Sequence, residues 1–314
     1  MNRDIVVVIV SWNVCALLER CLASLAPLDC RTIVVDNASA DGSAAMVRQA
    51  FPAVELIEAG GNRGFAGGNN LALRRLLDEA APPRAVLLLN PDTEVSAGQL
   101  PALWQALDAH PEVDVVGPQL RYADGSLQSS CRRLPQRLTY LWESTPLEQL
   151  WPGNPWARRY RMADADPQQP RAVEWLVGAA LLVRFSAIVR AGLFDEGFAL
   201  YSEELEWQRR LAAGGRGIWY LPSVVVTHHE GKSSEQAPAR RRLLFRQSRL
   251  RDAAMQFGMP FAQVLRLALM SFSAAELGIE AAKWLAGHRR ALRAARVHEH
   301  WDVLCGLARH RPTR

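Results

Sequence analysis

The 314-residue chain is 49% apolar and carries 37 Lys and Arg against 32 Asp and Glu. This composition provides a sizeable core and excludes an intrinsically disordered chain. The charge is unevenly distributed, because residues 236–314 have a net charge of +10 and residues 1–235 have a net charge of −5. A basic tail on an acidic body indicates an anionic partner for the tail, either phospholipid or nucleic acid.

The first 118 residues alternate between β-branched apolar runs and segments with helical spacing. The predicted strands are 4–10, 32–35, 54–57, 86–89 and 113–117, and the predicted helices are 16–25, 41–50, a segment that follows a glycine-rich loop and ends at 77, and 97–109. Strands that alternate with helices in this way are typical of a doubly wound, mostly parallel α/β sheet.

The alternation stops after Pro118. Residues 121–172 have no sustained period, and we expect a long irregular segment on the surface. Order returns with a strand at 175–184, in which Gly178 marks a place where another group approaches the backbone closely. The remaining predictions are helices at 186–191 and 203–213, strands at 217–221 and 224–227, and helices from residue 237 onward.

Two predicted strands run directly into an aspartate. Asp36 ends the second strand, and Asp92 follows the fourth in the sequence Asn90-Pro91-Asp92. Parallel strands of such sheets present ligand groups at their carboxyl ends. Asp92 could hold a divalent cation that bridges a diphosphate, although an ordinary turn is the simpler interpretation when it is taken alone. Asp36 could accept a hydrogen bond from a nucleobase ring N–H, a position that helix capping does not explain.

Later polar groups have two interpretations each. Glu203 and Glu204 open a helix, where the helix dipole favours acids, but one of the two could also act as a general base. His228 ends the last predicted strand and could complete the coordination of a metal, or it could be a surface histidine. The glycine-rich segment 60–70 matches neither the dinucleotide fingerprint nor a P-loop, and it could bind a ribose or phosphate or be a flexible connection.

Taken in order, these motifs resemble family 2 glycosyltransferases with the GT-A fold, especially the rhamnosyltransferase-like branch. The resemblance covers about residues 4–233, and each motif is weak alone whereas the ordered set is specific. The motifs that carry it are Ser11-Trp12-Asn13, residues 36–43, residues 61–70, residues 89–93, residues 192–198, residues 201–206, and Pro222 with His228.

The resemblance implies inverting transfer of a sugar, with rhamnose as a guess, from a nucleotide-diphosphate sugar to a hydroxyl of a glycan or lipid-linked acceptor. It implies that Glu204 is the catalytic base and that Asp92 and His228 hold Mg²⁺ or Mn²⁺. It places the following residues at the donor site: Ser11, Asn13, Asp36, Asn62, Arg63, Asn70 and Asn90.

The sequence departs from the family pattern at two places. The family's DxD-type element has a single carboxylate here, Asp92, and Glu204 stands where an aspartate is usual. The longer base keeps open an alternative function as a catalytically degenerate sugar-nucleotide-binding scaffold. A nucleotidyltransferase is a weaker alternative, because the loop after the first strand lacks the Gly-rich, Lys- or Arg-bearing sequence that such an enzyme should carry.

On this resemblance, residues 1–235 form the GT-A catalytic domain, with a nucleotide-sugar half to about residue 118 and an acceptor half in 119–235. Residues 236–314 form a basic helical region, which fits either an amphipathic contact with an anionic membrane or packing on the core or on a second subunit. No nucleic-acid-binding fold is recognised. Charges interrupt the longest apolar region, Phe261–Ala286, so we expect no spanning helix.

The location follows from the same observations. The short N-terminal apolar run has no cleavage signature, and the five scattered cysteines form no CxxC pair. We therefore predict a cytoplasmic protein with reduced thiols, placed peripherally on the inner face of the cell membrane if the tail contacts lipid.

Overall fold

The computed structural model describes residues 4–28, 30–198, 200–229, 238–310 and 312. The chain divides into two compact units. Unit 1 contains Met1–Leu134, Asp164–Ala199 and Glu203–Ser233, and unit 2 contains Pro135–Ala163, Leu200–Ser202 and Ser234–Arg314. The predicted boundary at residues 235 and 236 lies outside the described residues. Residues 135–163, which we expected in the catalytic domain, group with unit 2.

Unit 1 contains every strand found in the described ranges. The strands are β1 (Ile5–Ser11), β2 (Arg31–Asp36), β3 (Glu55–Glu58), β4 (Ala85–Leu89), β5 (Thr93–Val95), β6 (Val113–Arg121), β7 (Leu127–Gln128), β8 (Cys131–Arg132), β9 (Arg171–Val173), β10 (Trp175–Leu176), β11 (Ala180–Arg184) and β12 (Gly217–His228).

The described helices are divided between the two units. They are α1 (Cys15–Leu25), α2 (Ser43–Ala50), α3 (Gly64–Leu77), α4 (Gln99–Ala109), α5 (Arg137–Glu143), α6 (Leu147–Leu150), α7 (Pro155–Tyr160), α8 (Phe185–Ala191), α9 (Glu203–Ala212), α10 (Pro238–Phe257), α11 (Met259–Leu285) and α12 (Arg290–Arg309), with a short 3-10 turn at Ala26–Leu28.

The main sheet of unit 1 has the strand order β3-β2-β1-β4-β11-β6-β12-β5. The first four strands of this order run parallel to one another, and β12 runs parallel to β6. β11 lies antiparallel between β4 and β6, and β5 pairs antiparallel with the end of β12. This mixed but mostly parallel α/β sheet confirms the predicted fold class.

The core of unit 1 lies on both faces of the sheet. β1 and β4 are almost completely buried, as their continuous apolar sequences predict. On one face, Leu18 of α1 and Leu103 of α4 pack against the sheet. On the other face, Leu73 of α3 and Trp207 of α9 do so. Helices on both faces fix the strand ends, and with them the loops that carry polar groups.

The prediction of a long irregular segment at 121–172 is wrong. That stretch contains β7, β8, the short helices α5 to α7, and β9. These elements have two to seven residues each, so they are too short to show a period. β8 and β9 form through pairing with distant segments, whereas β7 pairs with the nearby end of β6. Elsewhere, β5 was not predicted, the strand at 175–184 is divided into β10 and β11, and β12 is one strand with a register shift between Leu221 and Val225.

The helices of unit 2 pack around Tyr140 of α5. The Tyr140 hydroxyl donates a hydrogen bond to Asp252 of α10, and its ring lies 5.8 Å from that of Phe257 and 6.3 Å from that of Phe261. The prediction of a helical region is confirmed from residue 238 onward; residue 237 lies outside the described ranges. All five cysteines of the chain are free.

By length and composition, α11 could cross a membrane. An 18-residue window in it has a mean hydropathy of 1.2, and 22% of that window is buried within the protein. The expectation that charges rule out such a helix is therefore wrong on this criterion. A core helix can meet the same criterion, so it does not by itself decide where α11 lies.

The glycine-rich segment lies mostly inside α3 and not in a loop. A Cβ atom on Gly68 would lie 2.5 Å from Val10 Cγ1, and one on Gly67 would lie 2.8 Å from Arg63 Cβ. Gly68 therefore allows α3 to approach the end of β1 closely, and Gly67 leaves room for the Arg63 side chain, which explains both glycines without loop flexibility.

We expect Gly68→Ala to destabilise the protein by about 1–3 kcal/mol, because the added methyl group overpacks the contact with Val10. The control is Gly61→Ala, since a Cβ there has no atom within 4 Å. Urea unfolding of both variants measures the difference. An unchanged midpoint for Gly68→Ala would show that this contact relaxes freely.

Candidate active site

Two unpartnered polar atoms lie at the carboxyl ends of β1 and β2. Ser11 and Asp36 are neighbours in the parallel register, and both side chains are buried. Asp36 Oδ2 accepts a hydrogen bond of 3.0 Å from the Ser39 N–H. Asp36 Oδ1 and the Ser11 hydroxyl are buried and have no hydrogen-bond partner among the described residues. Buried polar atoms normally have partners, so this pair is suited to a bound polar ligand.

Asn13 joins the two loops that follow these strands. Its backbone has a positive φ of 52°, and its N–H donates to Ser39 Oγ at 3.0 Å. Its side-chain oxygen accepts from the Ala40 N–H at 2.7 Å. Asn13 therefore sets the shape of the loop beside Asp36, and its predicted contact with a donor stays a prediction.

Asn62 and Arg63 form the start of α3. Asn62 Oδ1 accepts a hydrogen bond from the Gly64 N–H at 2.9 Å, which orders the turn into the helix. Arg63 Nε donates to the Ala59 carbonyl at 3.1 Å. The Asn37 side chain, next to Asp36, donates to the Gly64 carbonyl at 3.0 Å. These bonds hold the beginning of α3 beside the end of β2.

Asn70 is buried and fixes the segment around Phe194. Its Nδ2 donates to the Phe194 carbonyl at 3.0 Å and to Glu196 Oε1 at 2.8 Å, and its Oδ1 accepts from the Phe194 N–H at 2.9 Å. The Asn70 and Arg74 hydrogen bonds lower the pKa of Glu196. The structure thus gives Asn70 a positioning role, and its assignment to the donor site stays a prediction.

The loop after β4 meets the end of β12. Asp92 Oδ1 lies 3.3 Å from His228 Nε2, and Asn90 Nδ2 lies 3.4 Å from the same nitrogen. Both Asp92 and His228 are buried. Residues more than a hundred positions apart are therefore adjacent, as the strand-end argument predicts.

Gln128 of β7 holds the other side of the His228 ring. Its Oε1 lies 2.9 Å from His228 Nδ1, and Gln128 is also buried. An amide oxygen accepts, so this contact fits a proton on Nδ1, and in that neutral tautomer Nε2 presents its lone pair toward Asp92. A lone pair facing a carboxylate at this distance is favourable when a cation lies between them.

Asp92 and His228 form a small set of candidate metal ligands. Among the described residues, no group of three or more His, Cys, Asp or Glu side chains could hold a metal ion. The neighbouring Cys21 thiol contacts the Asn90 carbonyl, and burial raises the pKa of Cys21 to about 12, which makes it a poor ligand.

Glu204 lies against Gly178. A Cβ atom on Gly178 would be 3.3 Å from both Cβ and Cγ of Glu204, so the glycine makes room for this side chain. The next residue, Ala179, accepts a hydrogen bond of 2.9 Å from the Asn90 N–H through its carbonyl. Glu204 therefore contacts Gly178, and the next residue, Ala179, bonds to the loop that carries Asp92. The contact between Glu204 and Gly178 is the close approach that the sequence predicted at Gly178.

Gln208 fixes the orientation of α9. Its Oε1 accepts from the Leu176 N–H at 2.9 Å, and its Nε2 donates to the Leu176 carbonyl at 2.7 Å. One turn away, Glu206 and Arg210 form a two-point ion pair with distances of 2.7 and 2.8 Å. The acids that open α9 therefore differ in role, because Glu206 is structural whereas Glu204 faces Gly178.

Sequence reasoning missed Gln128 and Gln208. Gln128 lies in the segment predicted to be irregular, and Gln208 lies inside a helix where a polar residue is unremarkable. Their importance comes from pairing with His228 and Leu176, which are distant in sequence. A buried position in a short strand would have been the signal for Gln128, but the strand itself had no period to reveal it.

The mixed, mostly parallel sheet with helices on both faces corresponds to the GT-A fold. The model of the Glycosyl transferase family 2 matches residues 6–163, and the chain belongs to this family. It is therefore a glycosyltransferase. The chain is 35% identical over 248 residues to the N-acetylglucosaminyl-diphospho-decaprenol L-rhamnosyltransferase of Mycobacterium tuberculosis, covering 76% of this chain and 80% of that protein.

More distant relatives share the fold. The hexosyltransferase Agl10 of low-salt glycan biosynthesis in Haloferax volcanii is 25% identical over 63% of this chain and 58% of its own length. The mannosyltransferase PcManGT of Pyrobaculum calidifontis, solved with GDP-Man and Mn²⁺, is 18% identical with a TM-score of 0.53 over 97% of this chain and 86% of its own. TarS 1–349 of S. aureus with UDP is 15% identical with a TM-score of 0.52 over 96% and 89%.

We expect Asn70→Ala to lower the free energy of unfolding by about 1–3 kcal/mol, because it leaves buried groups of the Phe194 segment without partners. Ser11→Ala is the matched control, since Ser11 is equally buried but its hydroxyl has no partner to lose. Urea unfolding compares the two. Equal losses would contradict the division between a positioning residue and a ligand-facing one.

Proposed function

We propose that this glycosyltransferase moves a sugar, with rhamnose as the first choice, from a nucleotide-diphosphate sugar to a hydroxyl of a lipid-linked glycan, with inversion. The observation that carries the proposal is the Asp92–His228 pair, in which Nε2 faces a carboxylate oxygen at 3.3 Å. Such a pair fits one divalent ion and the diphosphate that it would bind. The family membership and the relatives support the reaction class.

The nucleotide would bind at the ends of β1 and β2. Asp36 Oδ1 and the Ser11 hydroxyl are buried acceptors without partners, so a base ring N–H would supply a missing donor. Asn13 and Arg63 shape the loops on either side through their bonds to Ser39 and Ala59. These contacts support the assignment of this end of the sheet to the nucleoside.

The residues present fit Mg²⁺ or Mn²⁺. Such ions take few protein ligands together with phosphate oxygens, and adjacent ligands bonded at about 2.1 Å lie about 3 Å apart. Asp92 Oδ1 and His228 Nε2 meet that spacing, and Gln128 orients the imidazole. When bound, the ion would neutralise charge on the departing diphosphate. Two relatives by fold were solved with Mn²⁺, which supports a divalent ion without identifying it.

Glu204 would remove the proton from the acceptor hydroxyl. Gly178 leaves room for its side chain, and Gln208 holds α9 in place from the Leu176 backbone. Direct attack of the hydroxyl on the sugar carbon, with the proton passing to the Glu204 carboxylate and the diphosphate leaving, inverts the configuration. A carboxylate on a fixed helix start is suited to that role.

The acceptor and the donor sugar are inferred from the relatives. The Mycobacterium tuberculosis relative is by name a rhamnosyltransferase that acts on N-acetylglucosaminyl-diphospho-decaprenol. A rhamnosyltransferase, WbbL of Escherichia coli, is 36% identical over 64 residues, which are 19% of this chain and 24% of that protein. We therefore propose rhamnose as the sugar and a polyprenyl-diphosphate-linked sugar as the acceptor. Family membership favours this over the nucleotidyltransferase alternative.

We expect Gln128→Leu to weaken Mn²⁺ binding about 10–100-fold, because the His228 ring loses the partner that sets its tautomer. Calorimetric titration with Mn²⁺ measures this, in the presence of whichever of UDP, GDP or dTDP most raises the melting temperature. Gln119→Leu is the control, since Gln119 is a buried glutamine that bonds to Tyr220 instead. Equal Mn²⁺ affinity for wild type and Gln128→Leu would remove Gln128 from the metal site.

We expect Glu204→Gln to lower the rate of sugar transfer about 10²–10⁴-fold while the affinity for the donor changes little, because the amide cannot accept the proton. Radiolabelled sugar transfer and donor titration measure the two quantities separately. Glu203→Gln is the neighbouring control. Donor binding without sugar transfer by the wild type would point to the scaffold alternative, whereas a normal rate for Glu204→Gln together with a slow Glu203→Gln would assign the base to the adjacent carboxylate.

A further inference from the structure

The acidic side chains of α11 lie on the side of the helix that faces α10 and α12 in unit 2. Glu280 is buried and pairs with Arg293 at 2.6 Å and with Lys283 at 3.2 Å. Glu276 lies 3.5 Å from His300, and it also faces Arg246 of α10. Arg266 donates to the carbonyl of Leu307 at the end of α12. The acids of α11 are therefore turned toward α10 and α12 and are already paired.

The opposite side of α11 is apolar and exposed. Its large side chains are 64% (Val264), 59% (Leu267), 54% (Ile279) and 70% (Leu285) exposed. The positions between them on the same side are small. We call the whole set the outer face of α11: Val264, Leu267, Ser271, Ala274, Ala275, Gly278, Ile279, Ala282 and Leu285.

The outer face is broad and carries no charge among its residues. At about 100° per residue, these positions span an arc of about 140° of the helix surface. Four large aliphatic side chains aligned on one helix face and more than half exposed are unusual for a soluble surface, where such patches mark interaction sites. The charged residues interrupt the apolar sequence of α11, but they all lie outside this face.

The end of the outer face is basic. Lys283, Arg289 and Arg290 are exposed at the C-terminal end of α11 and the start of α12. Lys283 already pairs with Glu280, so Arg289 and Arg290 are the basic residues that this end can offer to a partner. An anionic surface is the complement of such an end.

We propose that the outer face of α11 lies in the headgroup and acyl boundary of an anionic bilayer, with Arg289 and Arg290 on the lipid phosphates. Charge complementarity favours lipid over a second copy of the chain. Both acids of α11 face inward, so a second outer face has no carboxylate to offer the basic end, whereas anionic lipid does.

The division of faces also favours lying on the bilayer over crossing it. A spanning helix is apolar on all lipid-facing sides, whereas the inner side of α11 meets Arg246, Arg293 and His300. A one-sided apolar stripe with a basic end is the pattern of an interfacial helix. Vesicle binding is measured without sugar transfer, so an absence of binding would not contradict the proposed function.

The test is sedimentation of full-length protein with vesicles made of phosphatidylcholine alone or of phosphatidylcholine with an equal part of phosphatidylglycerol. We expect binding to the anionic vesicles that falls as salt rises. Leu267→Glu with Ile279→Glu should weaken it at least tenfold, since both side chains are exposed and the fold does not depend on them. Val189→Glu is the control, because Val189 is 60% exposed on α8 of unit 1.

A second variant separates the contribution of the basic residues to lipid binding from that of the apolar outer face. Arg289→Gln with Arg290→Gln should remove the preference for phosphatidylglycerol and leave the melting temperature unchanged. Equal partitioning of wild type and Leu267→Glu/Ile279→Glu would overturn the proposal. So would a dimer in light scattering that this double variant dissociates, which would assign the face to a second copy, or membrane-bound protein that alkaline carbonate does not release, which would indicate a spanning helix.

Discussion

The antiparallel pairing of β11 between β4 and β6 is the constraint on which the site depends. It joins the parallel strands β1 to β4 to the pair β6 and β12, so one sheet carries the ends of β1, β2, β4 and β12 together with their polar side chains. Leu89 pairs with Ala180 at the end of β4, and the Asn90 N–H then bonds to Ala179. This pairing sets Asn90 and Asp92 beside the end of β12, where His228 lies.

The sequence predicted the fold and the candidate site best where a polar residue follows a buried apolar strand. Continuous apolar runs identified β1, β2 and β4, because strands covered on both faces need apolar residues at every position. Asp36 stood out because it directly follows such a run, and Asp92 because it lies three positions after one, where a carboxylate has no packing role. The same logic found Gly178, where a missing side chain makes room for Glu204. These features are local in sequence, and a single chain reveals them.

Features that arise from pairing between distant segments were not predictable. β5 and β9 have three residues each and form because β12, which is distant in sequence, offers open edges. The two-residue β7 pairs with the nearby end of β6 and is too short to show a period. Gln128 and Gln208 matter through their partners and not through their neighbours in the chain. The glycines at 67 and 68 were interpreted as loop residues, although they lie inside α3, where Gly68 packs closely on β1 and Gly67 leaves room for Arg63. Each of these features either was too short to show a period or had a second physical explanation.

The two units illustrate how one chain uses buried charge in opposite ways. In unit 1, Asp36 keeps an oxygen unpaired at the end of a strand, which costs stability and leaves an acceptor for a ligand. In unit 2, the acids of α11 are all paired inward, so one face of the helix is free of charge. A count of charges along α11 treats them as interruptions of an apolar stretch. Their direction shows instead that they stabilise the bundle and leave the opposite side apolar, so the orientation of the charges, and not their number, determines which surface can meet lipid.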